Sequence, residues 1–223
     1  METMTAKIIL EKLHEADERR ELALLYGPPG IGKTFAIEEF IERTERSDDP
    51  EKPEVLYGTA HGASTPKSLM AALCRQVGIP HLGSASTLAE TLVRKLETGH
   101  YLIIVDEANH LDIEAMELLR YVYDRGHLGV VLVGTLRLYE TFTDGSRPAS
   151  ELEQLWSRVG ICELLPGLME YEARQMIQKT LGRIPETATK QILKQTGNSM
   201  RRLTNDAGSL EGTQGTQRRP PHR

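Results

Sequence analysis

The sequence predicts an α/β fold followed by a small helical unit, and two features support this. A glycine-rich motif, GPPGIGKT at residues 27–34, lies between a short apolar strand and an amphipathic helix. Further short apolar segments alternate with amphipathic helices along the rest of the chain. The 223 residues are enough for one such domain and a small appended unit.

The first elements are a lead-in helix, the strand before the motif and the helix after it. We predict the first helix over residues 6–20 and the strand over residues 21–26, which are apolar and few. After the motif, residues 34–43 place apolar side chains on one side of a helix. The polar, proline-containing residues 47–54 are predicted to form a loop.

The glycine-rich motif fits G-x-x-x-x-G-K-[ST], the P-loop that binds nucleotide phosphates. Its glycines let backbone N–H groups curve around phosphate oxygens, and the helix N-terminus adds a favourable dipole. We expect Lys33 to lie against the β- and γ-phosphates of ATP and the Thr34 hydroxyl to bind Mg²⁺. The predicted nucleotide-binding residues are Gly27, Pro28, Pro29, Gly30, Ile31, Gly32, Lys33 and Thr34.

The next part of the chain is predicted to contain a strand and two helices. The strand covers residues 55–61, and the first helix has Pro66 in its first turn and extends to residue 77. Residues 78–87 are predicted to be a loop, and residues 88–97 a second helix.

An apolar strand over residues 101–107 ends in two carboxylates, Asp106 and Glu107. A carboxylate at the end of a buried strand beside a P-loop can hold the Mg²⁺ shell. We therefore expect Asp106 to bind the metal, directly or through water, and Glu107 to polarise the attacking water. The alternative is a strand followed by an acidic helix N-cap, which the P-loop makes the weaker interpretation.

A helix over residues 112–124, capped by Asp112, is predicted to pack on the sheet. The strand after it covers residues 128–135 and ends at Thr135, whose hydroxyl would sense the γ-phosphate or orient water. A solvent-facing threonine at a strand end is the alternative. A last strand is predicted over residues 159–165, directly after Arg158.

The end of the chain is predicted to be helical and then disordered. Three helices are expected over residues 170–181, 186–196 and 199–207, and the tail is almost free of apolar residues. The predicted domains are a nucleotide-binding core with the N-terminal helix over residues 1–165, a helical lid over 166–207 and a tail over 208–223.

Composition limits the classes of protein that fit. No apolar run approaches the ~18 residues of a membrane span, and the N-terminus does not resemble a signal peptide, so we expect no membrane partner. Cys74 and Cys162 show no metal-site spacing and are predicted to be buried free thiols in the cytoplasm. The net charge is −5, which argues against DNA binding because DNA-binding domains often carry a basic excess. An oligomer could still bind DNA if each protomer placed a few basic residues around a common axis.

The segments GPPGIGKT, LIIVDEA, VLVGT and WSRVG, in this order, resemble an AAA+ ATPase over about residues 7–207. The resemblance implies a three-layer αβα core with a parallel sheet and a small C-terminal helical lid. It also implies that Arg158 reaches a neighbouring subunit's nucleotide, where a guanidinium neutralises charge on the γ-phosphate. An intramolecular salt bridge at Arg158 is the alternative, and Arg147 is a weaker candidate. The pattern GNSMR points to Arg201 as the lid arginine that contacts nucleotide, with Arg202 the near alternative.

A closer resemblance, carried by DEANHL, GVVLVGT and LWSRVG, is to the transposition-regulator branch of AAA+ ATPases. It implies a homo-oligomer, a ring or helical filament, that assembles on duplex DNA with ATP and regulates transposition by target selection and by recruiting and activating a transposase. In that branch Lys67 and, approximately, Ser84 match positions that follow the DNA backbone. A solvated helix lysine and an ordinary loop serine are the alternatives. A helicase loader, a secretion-type ATPase or a nucleotide-gated DNA-coating scaffold also fits the core motifs.

Overall fold

The computed structural model describes residues 3–143, 152–196, 199 and 202–203. Within these residues, five strands form one sheet in the order β2-β3-β4-β1-β5, and every neighbouring pair is parallel. The strands are β1 Leu22–Tyr26, β2 Glu54–Thr59, β3 Tyr101–Asp106, β4 Gly129–Gly134 and β5 Val159–Leu164. Because all strands run the same way, their carboxyl ends meet at one edge of the sheet.

Helices cover both faces of this sheet. They are α1 Met4–Arg19, α2 Lys33–Arg46, α3 Pro66–Gln76, α4 Ala85–Leu96, α5 Ile113–Gly126, α6 Leu136–Thr143, α7 Glu153–Trp156, α8 Glu170–Leu181 and α9 Glu186–Thr196. Alternate side chains of the buried strands separate two cores: Leu102 and Ile104 pack with α1 and α2, whereas Ile103 and Val105 pack with α3, α4 and α5. The predicted α/β fold with three αβα layers is therefore confirmed.

One helix cap confirms the start predicted from the sequence, and another moves a predicted helix start. Asp112 caps α5 as predicted, since its carboxylate accepts the Ala115 N–H at 2.8 Å. The loop predicted over residues 78–87 is too long, because α4 begins at Ala85. The Ser84 hydroxyl accepts the Thr87 N–H at 3.1 Å and so starts the helix three residues early. Ser84 is a helix cap rather than an ordinary loop serine.

The two cysteines differ, which corrects half of the prediction for them. Cys74 lies on α3 and is fully buried in the core between the sheet and helices α3, α4 and α5, as expected. Cys162 is exposed, although it lies in a strand. The reason is that β5 is an edge strand: Ile161 packs towards α1 and α2, and Cys162 next to it points to the opposite face, which is open at this edge.

The C-terminal helices form a small core of their own. Leu168, Ala173, Ile177 and Leu203 are buried together, and α8 and α9 have the predicted bounds. Most of the predicted third lid helix and the tail lie outside the described residues, as do Arg147 and Arg201. The division of the chain at residue 165 stays a prediction.

One buried carboxylate joins the first helix of this small unit to the first helix of the chain. Glu172, which is 2% exposed, accepts the Met4 N–H at 2.6 Å and the Met169 N–H at 2.8 Å. These donors lie at the N-termini of α1 and α8, so the positive ends of two helix dipoles face one negative charge. The Thr5 hydroxyl adds a hydrogen bond to the Pro166 carbonyl at 2.7 Å. Among the described helices, none is long and apolar enough to cross a membrane.

Candidate nucleotide site

The P-loop joins β1 to α2 at the carboxyl edge of the sheet, and its glycines are required by its geometry. Gly32 has φ 92°, a left-handed backbone conformation that residues with a Cβ atom rarely adopt. A Cβ at Gly27 would lie 2.8 Å from both Cβ and the carbonyl oxygen of Leu165. The loop therefore turns sharply and packs closely on the chain that follows β5, leaving the α2 N-terminus directed at the site.

Lys33 and Thr34, the last residues of the motif, face the centre of the site. Lys33 is 5% exposed, and its Nζ donates to the Pro28 carbonyl at 2.9 Å and the Gly27 carbonyl at 3.3 Å. The ammonium group thus lies across the loop that is expected to hold phosphates. The Thr34 hydroxyl donates to Asp106 Oδ2 at 2.6 Å, which joins the P-loop to the end of β3.

Asp106 is 1% exposed, and both of its carboxylate oxygens have partners. Oδ1 accepts the Glu107 N–H at 2.7 Å, and Oδ2 accepts the Tyr57 hydroxyl at 3.4 Å in addition to Thr34. Burial raises the pKa of Tyr57, so its hydroxyl stays protonated and remains a donor. Tyr57 has no counterpart in the sequence interpretation. Its position near the end of a strand that pairs with β3 was the one feature that could have placed it near Asp106.

A Mg²⁺ ion fits the donors that meet here. The Thr34 hydroxyl and the Asp106 carboxylate are hard oxygen ligands already in contact, and Mg²⁺ is commonly held by one or two protein oxygens together with substrate phosphates. The described residues contain no cluster of three or more His, Cys, Asp or Glu side chains suited to a metal ion. A metal held partly by nucleotide phosphates does not require such a cluster.

Glu107 and Thr135 lie at the ends of neighbouring strands, beside Asp106. Glu107 has φ 51°, an uncommon conformation for a residue other than glycine, and its side chain is partly exposed. Thr135 follows β4, and its N–H donates to Asn109 Oδ1 at 3.0 Å. Asn109 therefore ties the end of β4 to the turn after β3. It is a second residue that the sequence interpretation missed, since its partner is distant in sequence.

Arg158 does not join this group. It precedes β5, so it lies at the amino edge of the sheet, whereas the P-loop follows β1 at the carboxyl edge of the adjacent parallel strand. Its Nε donates to Asp124 Oδ1 at 2.6 Å, and its Nη1 donates to the Gln154 carbonyl at 2.6 Å. The intramolecular ion pair that the sequence left open is present. The position keeps Arg158 a strand's length, roughly 20 Å, from its own P-loop.

The two predicted DNA-contacting residues lie at separate helix N-termini. Lys67 is exposed in the first turn of α3, between Thr65 and Ser68, the two residues of the capping box. Ser84 is exposed as well, but its hydroxyl already caps α4. No hydrogen bond connects them in the described part of the chain.

Comparison with known proteins gives one matching family, relatives that include DNA transposition proteins, and solved structures of similar fold. The AAA domain family matches residues 15–142. The Mu-like prophage FluMu DNA transposition protein B of Haemophilus influenzae is 30% identical over 216 residues, which are 96% of this chain and 73% of that protein. The ATP-dependent target DNA activator B of Escherichia phage Mu is 32% identical over 160 residues, 71% of this chain. The aligned part is 49% of the phage protein, about half its length.

Among solved structures, the Aeropyrum pernix ORC1 protein in complex with DNA superposes with a TM-score of 0.67 at 20% identity. The match covers 97% of this chain and 62% of that one. A likeness at this identity speaks for the fold alone.

Proposed function

We propose, on the premise that this chain belongs to the AAA domain family and is an AAA+ ATPase of the transposition-regulator type, that it hydrolyses ATP with Mg²⁺ and regulates transposition on duplex DNA. The observation that carries the ATPase assignment is the 2.6 Å hydrogen bond between Thr34 and Asp106. It brings the P-loop hydroxyl and the strand-end carboxylate together where Lys33 faces the loop.

The residues of the site divide the work of hydrolysis. Thr34 and, directly or through water, Asp106 would hold Mg²⁺, which would supply positive charge to the β- and γ-phosphates. Lys33 binds the same phosphates, and the backbone N–H groups of the P-loop, which Pro28 and Pro29 lack, surround them. Glu107 orients the attacking water, and Thr135 lies at the γ-phosphate side. Arg201 is the lid residue that we expect to contact nucleotide.

The position of Arg158 supports an active site shared between protomers. Because Arg158 lies at the opposite edge of the sheet from its own P-loop, it can contact only a neighbour's nucleotide in a ring or helical filament. ATP then favours the oligomer, since the γ-phosphate binds the assembled state better than the separated protomers. Hydrolysis removes that contact and releases the protomers.

DNA binding rests on Lys67 and Ser84 and on the relatives' names. An exposed lysine at a helix N-terminus suits a backbone phosphate, and such contacts carry no sequence information. Repetition along an oligomer compensates for a net charge of −5 per chain. We propose that the assembly marks target DNA and recruits and activates a transposase. The phage relative is named an ATP-dependent target DNA activator, which supports a role at target DNA.

Electron microscopy of negatively stained protein tests this proposal. The protein is imaged with a slowly hydrolysed ATP analogue, with and without duplex DNA, at low and moderate salt. Filaments or rings that need both nucleotide and DNA, and that weaken as salt rises, are the expected result. Rings that form with nucleotide alone and ignore DNA would instead favour another remodelling ATPase, such as a helicase loader.

A further inference from the structure

Arg158 is held by groups from two different helices. Asp124, in the last turn of α5, accepts from Nε at 2.6 Å, and the Gln154 carbonyl of α7 accepts from Nη1 at 2.6 Å. The Ser157 hydroxyl lies 3.4 Å from the same Nη1. These contacts fix the plane and direction of the guanidinium, because an arginine fork has few orientations that satisfy two acceptors at once.

The contacts leave one end of the guanidinium available. Arginine carries five N–H donors, of which the two on Nη2 find no partner among residues 3–143 and 152–196. The side chain of Arg158 is 33% exposed, and Nη2 is not among the buried polar atoms without a partner in the described residues, so this end is open to solvent. A purely structural ion pair does not require a free outward-facing donor pair, whereas binding a phosphate does.

Asp124 is itself held in place. Its second oxygen, Oδ2, accepts from Arg120 Nη1 at 3.0 Å, and the Nε and Nη2 of Arg120 donate to Glu117 Oε2 at 2.9 and 2.7 Å. The four side chains Glu117, Arg120, Asp124 and Arg158 thus alternate in charge along α5 and across to Arg158. A carboxylate fixed on one side by Arg120 is a defined support for the arginine on its other side.

We infer that Asp124 is a positioning residue for Arg158, which holds the Nε side of the guanidinium so that Nη2 is directed at the nucleotide of the adjacent protomer. The inference rests on the proposed role of Arg158 in a shared site. In this arrangement Asp124 acts through Arg158 and does not itself contact the nucleotide or the attacking water. Because Asp124 already restricts the orientation of the Arg158 side chain, less side-chain freedom is lost when the transition state forms.

The first test is ATP turnover by the full chain with Mg²⁺ and duplex DNA, at protein concentrations that give assemblies. For Asp124→Asn we expect kcat to fall about 10- to 100-fold with KM for ATP within about twofold, because orientation acts on the transition state. Glu114→Gln, which removes an exposed charge on the same helix outside this network, should turn over like the wild type. Unchanged or faster turnover by Asp124→Asn would overturn the inference, faster turnover meaning that Asp124 restrains Arg158 instead.

Mixed assemblies separate positioning from local damage. Glu107→Gln subunits have an intact Arg158 and an inactive site of their own, so adding them should restore turnover at the sites of Asp124→Asn subunits and of Arg158→Ala subunits. Mixing Asp124→Asn with Arg158→Ala should restore little, since both lack a positioned arginine. If Arg158→Ala is rescued and Asp124→Asn is not, the positioning role is wrong while the shared site stands. If neither is rescued, the shared site fails and the inference with it.

Folding of the variants is checked in parallel by thermal unfolding. A partly exposed ion pair contributes little to stability, so we expect similar melting curves. Asp124→Glu keeps the charge but moves the carboxylate along a longer side chain, and its kcat should fall between wild type and Asp124→Asn. Full activity of Asp124→Asn and Asp124→Glu together would leave no positioning role.

Discussion

The side-chain amide of Gln76 makes two hydrogen bonds to the backbone of Tyr57. The Tyr57 N–H donates to Oε1 at 2.9 Å, and Nε2 donates to the Tyr57 carbonyl at 2.9 Å. Since β2 is an edge strand, these backbone groups face away from β3 and would otherwise be open to another strand. The Gln76 side chain, in the last turn of α3, thus provides Tyr57 with the two backbone hydrogen bonds that a neighbouring strand would otherwise make.

We expect Gln76→Ala to lower the free energy of unfolding by about 1 kcal/mol, because two hydrogen bonds exposed to water are exchanged for hydrogen bonds to water. It should also increase self-association through the uncovered edge. Urea unfolding and sedimentation measure the two effects. Arg75→Ala, at the neighbouring exposed position, is the control and should change neither. Equal behaviour of the two variants would show that the Gln76 contacts do not protect the edge.

For Thr34 we expect the hydroxyl to matter more than the shape of the side chain. Thr34→Val keeps the branched shape but removes the donor to Asp106 and the metal ligand, so Mg²⁺-dependent turnover should fall at least about tenfold. Thr34→Ser keeps the hydroxyl and should retain most activity. ATPase rates over a range of Mg²⁺ concentrations make the comparison. Similar rates for Val and Ser would exclude the hydroxyl from the metal site.

Glu107→Gln should bind ATP but hydrolyse it slowly, because an amide cannot accept the proton of the attacking water. If hydrolysis drives release, this variant should form assemblies on DNA that persist for much longer than those of the wild type. Sedimentation after dilution, or electron microscopy over time, follows the decay. Disassembly at the wild-type rate would count against the assignment of Glu107.

Removing the Lys67 charge should weaken DNA binding at all sequences alike. For Lys67→Ala we expect the slope of log K against log salt to fall by about one unit per protomer contact. Lys7→Ala, an exposed lysine on α1, is the matched control and should leave the slope unchanged. Binding is measured by fluorescence anisotropy at several salt concentrations. The same slope for all three proteins would remove Lys67 from the interface.

Ser84 calls for a companion variant, because Ser84→Ala also removes a helix cap, at a cost of about 1 kcal/mol. Asp is as good an N-cap as Ser, so Ser84→Asp preserves α4 and adds a negative charge. If Ser84 lies at the DNA backbone, this variant should bind DNA more weakly while its melting temperature is kept. Unchanged affinity would mean that Ser84 is only a cap.

The two thiols should differ in reactivity towards iodoacetamide. Although Cys162 lies at the surface, neighbouring atoms partly desolvate its thiol and raise its pKa above the ordinary value. Only the thiolate reacts, so alkylation of Cys162 should be slow at neutral pH. Its rate should continue to rise with pH beyond the ordinary pKa of a thiol. Burial raises the pKa of Cys74 and blocks access, so it should react only after unfolding. Peptide mass spectrometry reads both, and equal labelling of the folded protein would contradict the fold at β5.

The sequence predicted the elements whose signal is local. The P-loop, the buried strands and the Asp112 cap each follow from a few adjacent residues, and all three are present. The start of α4 was misplaced because Ser84, Ser86 and Thr87 can each begin a helix, and the choice depends on which hydroxyl reaches a backbone N–H. The exposure of Cys162 was missed because strand order, rather than strand composition, makes β5 an edge.

The site was predictable where residues are sequential and not where they meet across the fold. Lys33, Thr34 and Asp106 came from motifs, but Tyr57 contacts Asp106 only because β2 and β3 pair in a particular register. Asn109 reaches the N–H of Thr135 for a similar reason, across two strand ends. The Asp124 partner of Arg158 lies 34 residues away in sequence and carries no motif.

The Glu172 carboxylate limits how α8 can move relative to α1. Rotation of α8 about this carboxylate keeps its hydrogen bond to the Met4 N–H, whereas sliding α8 by more than about 1 Å would stretch that bond beyond range. This bond therefore acts as a pivot between the two helices, because the bond to Met169 lies within α8 and moves with it. Any movement of the helical unit that accompanies nucleotide binding would therefore reach the N-terminal helix as a force on its first turn, and rotation about the carboxylate alone would leave α1 in place.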